Sequence, residues 1–115
     1  MILIRMKPAQ PENTLPFATS DLSAEVARWL VHLGAERRMS PKTVEAYRRD
    51  VHQFLDFLAG HLGESVSLSS LAGLAPRDVR AFMASRRSDG IGSRSLMRSL
   101  AGARSFARYL ERNGK

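Results

Sequence analysis

The chain has no cysteine among its 115 residues, which excludes a disulfide framework and any metal site built on thiolates. It also has no apolar run near the ~20 residues that a membrane-spanning helix needs. The opening segment Met1-Ile2-Leu3-Ile4 is too short for the core of a signal peptide and has no charged region before it. From these absences we expect a cytoplasmic protein that does not associate with a membrane.

The usual marks of a catalytic or cofactor site are missing as well. There is neither a glycine-rich phosphate loop nor a serine in a nucleophile elbow. His32, His52 and His61 have no partners at the spacing of metal ligands, and neither Tyr47 nor Tyr109 has a base beside it in the sequence. We therefore interpret these side chains as packing or surface residues, and we expect no catalytic residue, no metal and no cofactor in this chain.

Acidic residues are scarce in the last third of the chain. Residues 77–115 carry ten Lys/Arg against three Asp/Glu, whereas residues 1–76 carry eight of each, so this third holds the whole net charge of +7. Solubility alone would not place the excess so unevenly, and a basic face on one or two helices indicates a polyanion partner, nucleic acid first. Arginine far outnumbers lysine, which suits bidentate contacts to phosphate or guanine but is also what a high-GC genome produces.

The periodicity of apolar residues is helical throughout, with no convincing alternation of period two. We assign residues 1–19, which contain three prolines, to a flexible N-terminal lead-in, and residues 20–115 to one helical domain. The predicted fold class is all-α, a small orthogonal bundle of four main helices. Their predicted ranges are about 21–36, 41–59, 76–87 and 94–113.

Capping residues support the starts of two of these helices to different degrees. Ser40 is a good N-cap and Pro41 suits the first helical position. Ala75 is a poor N-cap, so Asp78 is expected to support the third helix through the helix dipole. Residues 61–74 are interpreted as a connection that leucine side chains hold against the core.

The predicted fourth helix carries the main candidate site. At 100° per residue, the apolar side of this helix faces away from a cluster of four arginines within about 80°, namely Arg94, Arg98, Arg108 and Arg112. Arg104 lies further around the helix. Ala101 and Ser105 lie between the arginines, and such small residues let a helix backbone enter a groove. Only Glu111 offers the opposite sign on this helix. The candidate DNA-binding residues here are Arg94, Arg98, Arg104, Ser105 and Arg108.

The second helix has a smaller polar face opposite its apolar stripe. Lys42, Arg49 and Gln53 share that side. Ser40 and Thr43 lie at the helix N-terminus, where N–H and hydroxyl groups can donate to a phosphate. A simple cap and a solvated face explain the same residues equally well.

Two blocks of sequence, in order and on the predicted helices, resemble the N-terminal core-binding (SAM-like) domain of the Xer-type tyrosine recombinases. The first block comprises residues 39–50, Met-Ser-Pro-Lys-Thr-Val-Glu-Ala-Tyr-Arg-Arg-Asp, and residues 54–58. The second comprises residues 86–90, 93–100 and 104–110. The resemblance spans about residues 22–113 and is greatest to the XerC branch, although XerD-like and phage-type integrases share the same pattern.

The resemblance implies a domain that forms one half of a clamp around double-stranded DNA, with the second and fourth helices across the major groove. The family's catalytic residues, including its tyrosine nucleophile, lie in a separate C-terminal domain and match no position here. We therefore expect this chain to be one domain of a longer enzyme that cleaves and rejoins DNA. For that parent enzyme the resemblance implies a dif-like half-site, a role in chromosome dimer resolution, a XerD-like partner recombinase and an FtsK-like translocase. The isolated domain is expected to be monomeric.

Two other classes of function are compatible with the residues alone. A basic helical module that binds an acidic protein partner would show the same charge distribution. A helix-turn-helix regulator would need a short turn before its recognition helix, and the long connection at 61–75 argues against it.

Overall fold

The computed structural model describes residues 15–115, and this part of the chain is helical. Its only β-type contact is an isolated parallel bridge between Ala18 and Val66. The predicted all-α fold is therefore confirmed. The helices are α1 (Ser20–Val31), α2 (Pro41–Leu62), α3 (Leu68–Ala72), α4 (Pro76–Ser88) and α5 (Ser93–Arg112). A π-helical turn, His32–Glu36, extends α1.

The four predicted main helices are all present. The connection at 61–74 packs against the core through Leu68, Leu71 and Leu74, as predicted, but a longer α2 and a short helix within it were not predicted. The helix α2 continues to Leu62 and ends where Gly63 adopts a left-handed backbone, with φ of 78°. The short helix α3 then occupies the middle of the connection. Its start is fixed by a reciprocal capping pair: the Ser67 hydroxyl accepts from the Ser70 amide at 3.0 Å, and the Ser70 hydroxyl accepts from the Ser67 amide at 3.2 Å.

The packed part of the chain begins earlier than the predicted boundary at residue 20. The amide of Thr19 donates to the carbonyl of Val66 at 2.9 Å, and the amide of Val66 donates to the carbonyl of Phe17 at 3.0 Å. Ala18 is buried between them. Residues 15–19 thus belong to the folded domain, whereas the rest of the predicted lead-in, residues 1–14, lies outside the described residues.

The helix starts follow the capping logic of the sequence. The Ser40 hydroxyl accepts from the Thr43 amide at 3.2 Å, which confirms the predicted cap of α2. At α4, Asp78 acts more directly than through the helix dipole, because its Oδ2 accepts from the Ala75 amide at 2.8 Å. Its Oδ1 lies 3.0 Å from His61 Nε2 of α2. Asp78 therefore both caps α4 and connects it to α2.

Trp29 of α1 is fully buried and organises the centre of the core. Its ring lies 5.2 Å from that of Phe106 on α5 and stacks at 6.4 Å on Tyr47 of α2. A second aromatic cluster places Phe54 of α2 against Phe82 of α4, with ring centroids 5.1 Å apart. Burial of each large apolar side chain contributes about 1.5–3 kcal/mol, so these rings hold α1, α2, α4 and α5 together.

The helix α5 packs more extensively against α2 than against any other element. The periodicity predicts an apolar side of α5 made of Leu96, Leu100, Ala103, Phe106, Ala107 and Leu110. Of these six, the two leucines Leu96 and Leu100, together with Phe106 and Leu110, are buried, whereas Ala103 is half-buried and Ala107 is exposed. Gly102 is also buried, where α5 meets α2. An added Cβ at this position would lie 2.8 Å from Asp50 Cβ and 2.9 Å from the Tyr47 carbonyl. Only a glycine permits this close approach of α5 to α2.

Candidate nucleic-acid interface

The exposed side of α5 carries four arginines: Arg94, Arg104, Arg108 and Arg112. Within residues 15–115, none of the four forms an ion pair with a carboxylate, since the arginine pairs of this region involve Arg28, Arg48, Arg86 and Arg98. Glu111 is the one acidic residue of α5 and is also exposed. The four guanidinium groups therefore present their N–H donors to solvent and are available to an external anion.

Arg98 differs from the other arginines of α5. Its Nη2 donates to Oδ1 of Asp50 at 3.0 Å across the contact with α2. The Asp50 side chain is only 3% exposed, whereas that of Arg98 is 52% exposed. The acids of α5 alone do not reveal this partner, which lies on α2, where a buried carboxylate requires a cation.

Burial and the neighbouring groups have opposite effects on the pKa of Asp50. Burial raises the pKa of this carboxyl above its ordinary value, and the positive charge of Arg98, the backbone N–H of Gly102 and, more weakly, the charge of Arg49 offset part of that shift. Oδ2 is buried against the backbone of Gly102 and has no side-chain donor within the described residues. Asp50 thus connects Arg98, a predicted site residue of α5, to α2.

Ser105 does not lie at the centre of the exposed side of α5, where the sequence placed it. Its hydroxyl is half-buried and accepts a hydrogen bond from Trp29 Nε1 at 3.2 Å. A buried indole N–H needs an acceptor, and this one is provided by α5. The hydroxyl hydrogen of Ser105 is what remains for an external acceptor.

The outer side of α2 is more mixed in charge than that of α5. Lys42 and Arg49 are exposed and Gln53 is half-buried, in the arrangement that the sequence predicts. Glu45 of the same side pairs with Arg48, which also lies 3.1 Å from His52 Nδ1. The pKa of Glu45 is lowered by its hydrogen bond to Arg48, so this carboxylate is already compensated.

The N-terminus of α2 combines capping groups with free cations. The Ser40 and Thr43 hydroxyls lie 2.9 Å apart, and one of the two can still donate outward. Arg37 and Arg38 immediately precede this end and are exposed; Arg38 adopts a left-handed backbone with φ of 57°. The arrangement is compatible with an anion at this helix end.

Asp50 and Gly102 are the two residues of this region that sequence reasoning missed. A signal was present for Asp50, which follows Tyr47 by three positions and precedes Phe54 by four, on the apolar side of α2. An acidic residue in such a stripe indicates a buried partner of opposite charge. The partner itself could not be identified from one helix alone.

An open apolar groove of about 510 Å³ runs between α2, α3 and α5. Leu68, Leu71 and Leu74 form one wall, and Arg104 and Arg108 border the other. No His, Cys, Asp and Glu cluster suited to a metal ion occurs within residues 15–115. Across the same residues, no helix has the length and apolarity needed to cross a membrane.

The chain matches the phage integrase N-terminal SAM-like domain over residues 26–114. It is 60% identical over 109 residues to the tyrosine recombinase XerC of Bradyrhizobium diazoefficiens, and 58% identical over 108 residues to that of Nitrobacter winogradskyi. With XerC of Rhizobium meliloti it shares 52% identity over 111 residues. These alignments cover 95%, 94% and 95% of this chain but 34%, 34% and 35% of the relatives.

The chain thus spans about one third of the length of the curated relatives that it matches. No solved structure matches it. The family match covers α2 to α5 and the second half of α1, and the resemblance to XerC recombinases that the sequence blocks indicate is confirmed. The chain belongs to the phage integrase N-terminal SAM-like domain family.

Proposed function

We propose that this domain binds duplex DNA for a XerC-like tyrosine recombinase, with α5 and the outer side of α2 facing the DNA. The observation that carries the proposal is the exposed side of α5, where four arginines have no carboxylate partner within residues 15–115. A helix surface meant only for solubility would intersperse acidic residues at i, i+4 spacing. The names of the relatives support a role in recombination.

Phosphate contacts are expected to outnumber base contacts in this interface. On α5, the exposed Arg94, Arg104 and Arg108 would donate to phosphates, and the small Ala101 between them would let the helix approach the duplex. Arg98 would reach the DNA from the contact between α2 and α5, and Ser105 would contribute its remaining hydroxyl hydrogen.

The helix α2 would supply the second set of contacts. Lys42, Arg49 and Gln53 would meet the backbone or base edges, and Ser40 and Thr43 would hold a phosphate at the helix N-terminus. Because the charge of Glu45 is compensated by Arg48, the outer side of α2 remains net basic at Lys42 and Arg49.

The finer biological role rests on the resemblance to XerC. The parent enzyme would cleave DNA through a tyrosine that attacks a phosphodiester, using residues outside this chain. Its site would be a dif-like recombination half-site and its role the resolution of chromosome dimers in the cytoplasm. A XerD-like recombinase and an FtsK-like translocase would be its partners.

Fluorescence anisotropy of labelled duplex DNA at several salt concentrations tests the DNA-binding proposal. A slope of roughly −3 to −4 in log K against log salt is expected if the four exposed arginines of α5 each neutralise one phosphate. A flat response would contradict the proposal. Light scattering of the unbound protein tests the expected monomeric state.

A module for an acidic protein partner is the second candidate function, and the apolar groove bordered by Arg104 and Arg108 favours it. Competition separates the two functions, because a DNA-binding face prefers duplex DNA to heparin at equal charge, whereas a general polyanion or acidic-peptide site does not. Membership of the integrase domain family argues against a helix-turn-helix regulator.

A further inference from the structure

Asp50 is a buried charge at the contact between the two helices that we assign to the DNA. Its side chain is 3% exposed, and its Oδ1 accepts from Arg98 Nη2 at 3.0 Å. Gly102 closes the other side, since an added Cβ there would lie 3.1 Å from Asp50 Oδ2. The carboxylate is therefore held in one place between α2 and α5 and does not reach into solvent.

Stability alone is a weak reason for this ion pair. Buried ion pairs can often be replaced by well-packed apolar residues without loss of stability, because desolvation offsets much of the attraction. The Oδ2 atom of Asp50 is buried against the backbone of Gly102 and has no side-chain donor within the described residues. An apolar side chain in this position would avoid that cost, so the pair calls for a role in addition to packing.

The contact and the exposure of Arg98 indicate a role in binding an external ligand. One of its five N–H donors is used by Asp50, and the side chain is 52% exposed, so its planar guanidinium remains accessible to an external acceptor. A long, flexible side chain loses entropy when it binds, and a side chain that is already held in place loses less. Arg98 is thus preordered at the contact between α5 and α2.

We propose that Asp50 is a positioning residue for DNA recognition: it holds the Arg98 guanidinium at the α2–α5 contact so that the remaining donors meet an acceptor on the duplex. The inference rests on the proposed DNA-binding function. It extends that function by assigning a specific task to a residue that does not itself touch the DNA.

The sign of one substitution separates this proposal from ordinary electrostatics. Removing a negative charge near a DNA-binding face strengthens DNA binding if only the charge matters. If Asp50 positions Arg98, Asp50→Asn weakens binding despite that favourable change in charge. Asp56→Asn is the matched control, because Asp56 is an exposed aspartate of the same helix without an ion pair in the described region.

Affinities for duplex DNA are measured by anisotropy for the 115-residue chain and its Asp50→Asn, Arg98→Gln, double and Asp56→Asn variants. All are measured at a temperature where circular dichroism shows them folded. Asp50→Asn should weaken binding roughly three- to tenfold, which is the ordering cost of one flexible side chain. Combined with Arg98→Gln it should add less than about twofold to the loss from Arg98→Gln alone. Asp56→Asn should leave binding unchanged or slightly stronger.

Binding by Asp50→Asn that equals or exceeds that of the unmodified chain would overturn the inference, as would full additivity in the double variant. If Asp50→Asn does not fold, Arg98→Lys decides, because it keeps the charge but loses the fork-shaped donor set. Affinity near that of Arg98→Gln supports positioning, and unchanged affinity refutes it. Salt-dependent binding that Arg104→Gln reduces, together with no effect at Asp50, would leave the proposed function intact and reject only this inference. No binding by the unmodified chain would reject both.

Discussion

Replacing Gly102 with alanine should destabilise the domain, although alanine is the better helix former. Alanine gains about 1 kcal/mol over glycine inside a helix. At this position the new methyl group would lie 2.8 Å from Asp50 Cβ and 2.9 Å from the Tyr47 carbonyl. The carbonyl belongs to the backbone of α2, so no side-chain rotation relieves the overlap and the two helices must separate.

The magnitude follows from the two opposing effects. Overpacking of a close contact costs about 1–3 kcal/mol, and a contact with backbone on a facing helix belongs at the upper end of that range. After the gain in helix propensity is subtracted, Gly102→Ala should lower the free energy of unfolding by about 1–2 kcal/mol. In a domain of this size that loss lowers Tm by on the order of 10 °C.

Gly60→Ala provides the matched control in thermal unfolding followed by circular dichroism. Gly60 also lies within a helix, α2, and an added Cβ there would have nothing within 4 Å. It should therefore show only the gain in helix propensity and raise Tm by roughly 4 °C. If Gly102→Ala melts at or above the unmodified chain while Gly60→Ala behaves as expected, α2 and α5 are not in the tight contact described.

Two further predictions concern the arginines of α5 and the cap of α4. Arg104→Gln with Arg108→Gln should weaken DNA binding and reduce the salt slope by roughly 2, with Tm unchanged. As the control, Arg77→Gln with Arg80→Gln on α4 should leave the affinity and the salt slope nearly unchanged. Equal losses of affinity in the two double variants would mean that the charge effect is general. The pKa of Asp78 is lowered, first by the backbone amide at the start of α4, so its carboxylate stabilises the fold above the unfolded pKa and loses this effect as pH falls below about 4. Asp78→Asn should therefore flatten the acid side of a plot of Tm against pH, and an unchanged acid side would contradict the assigned cap.

The sequence predicts the main helices because each has a continuous apolar stripe and, at α2, a strong start signal at Ser40 and Pro41. It does not predict α3, whose five residues are too few for a periodic pattern and depend on a reciprocal serine cap. Residues 15–19 were also missed, since their packing arises from backbone hydrogen bonds to Val66, which is distant in the sequence. Contacts of this kind leave no periodic signal.

The same limit applies to the candidate site. The periodicity of α5 places most of its arginines on the exposed side, but it cannot show which of them meets a carboxylate on another helix. Arg98 pairs with Asp50 and Ser105 with Trp29, and both partners lie on helices whose relative arrangement only the tertiary structure gives. The individual DNA contacts stay predictions.

The position of Trp29 gives this domain its own optical probe. It is the only tryptophan of the chain, and its indole nitrogen donates to Ser105 on α5 while its ring stacks on Tyr47 of α2. Any ligand that shifts α5 relative to α2 changes the surroundings of this single indole. Its emission, excited selectively over the two tyrosines, therefore reports on the junction of three helices without an attached dye, and that signal comes from one known place in the fold.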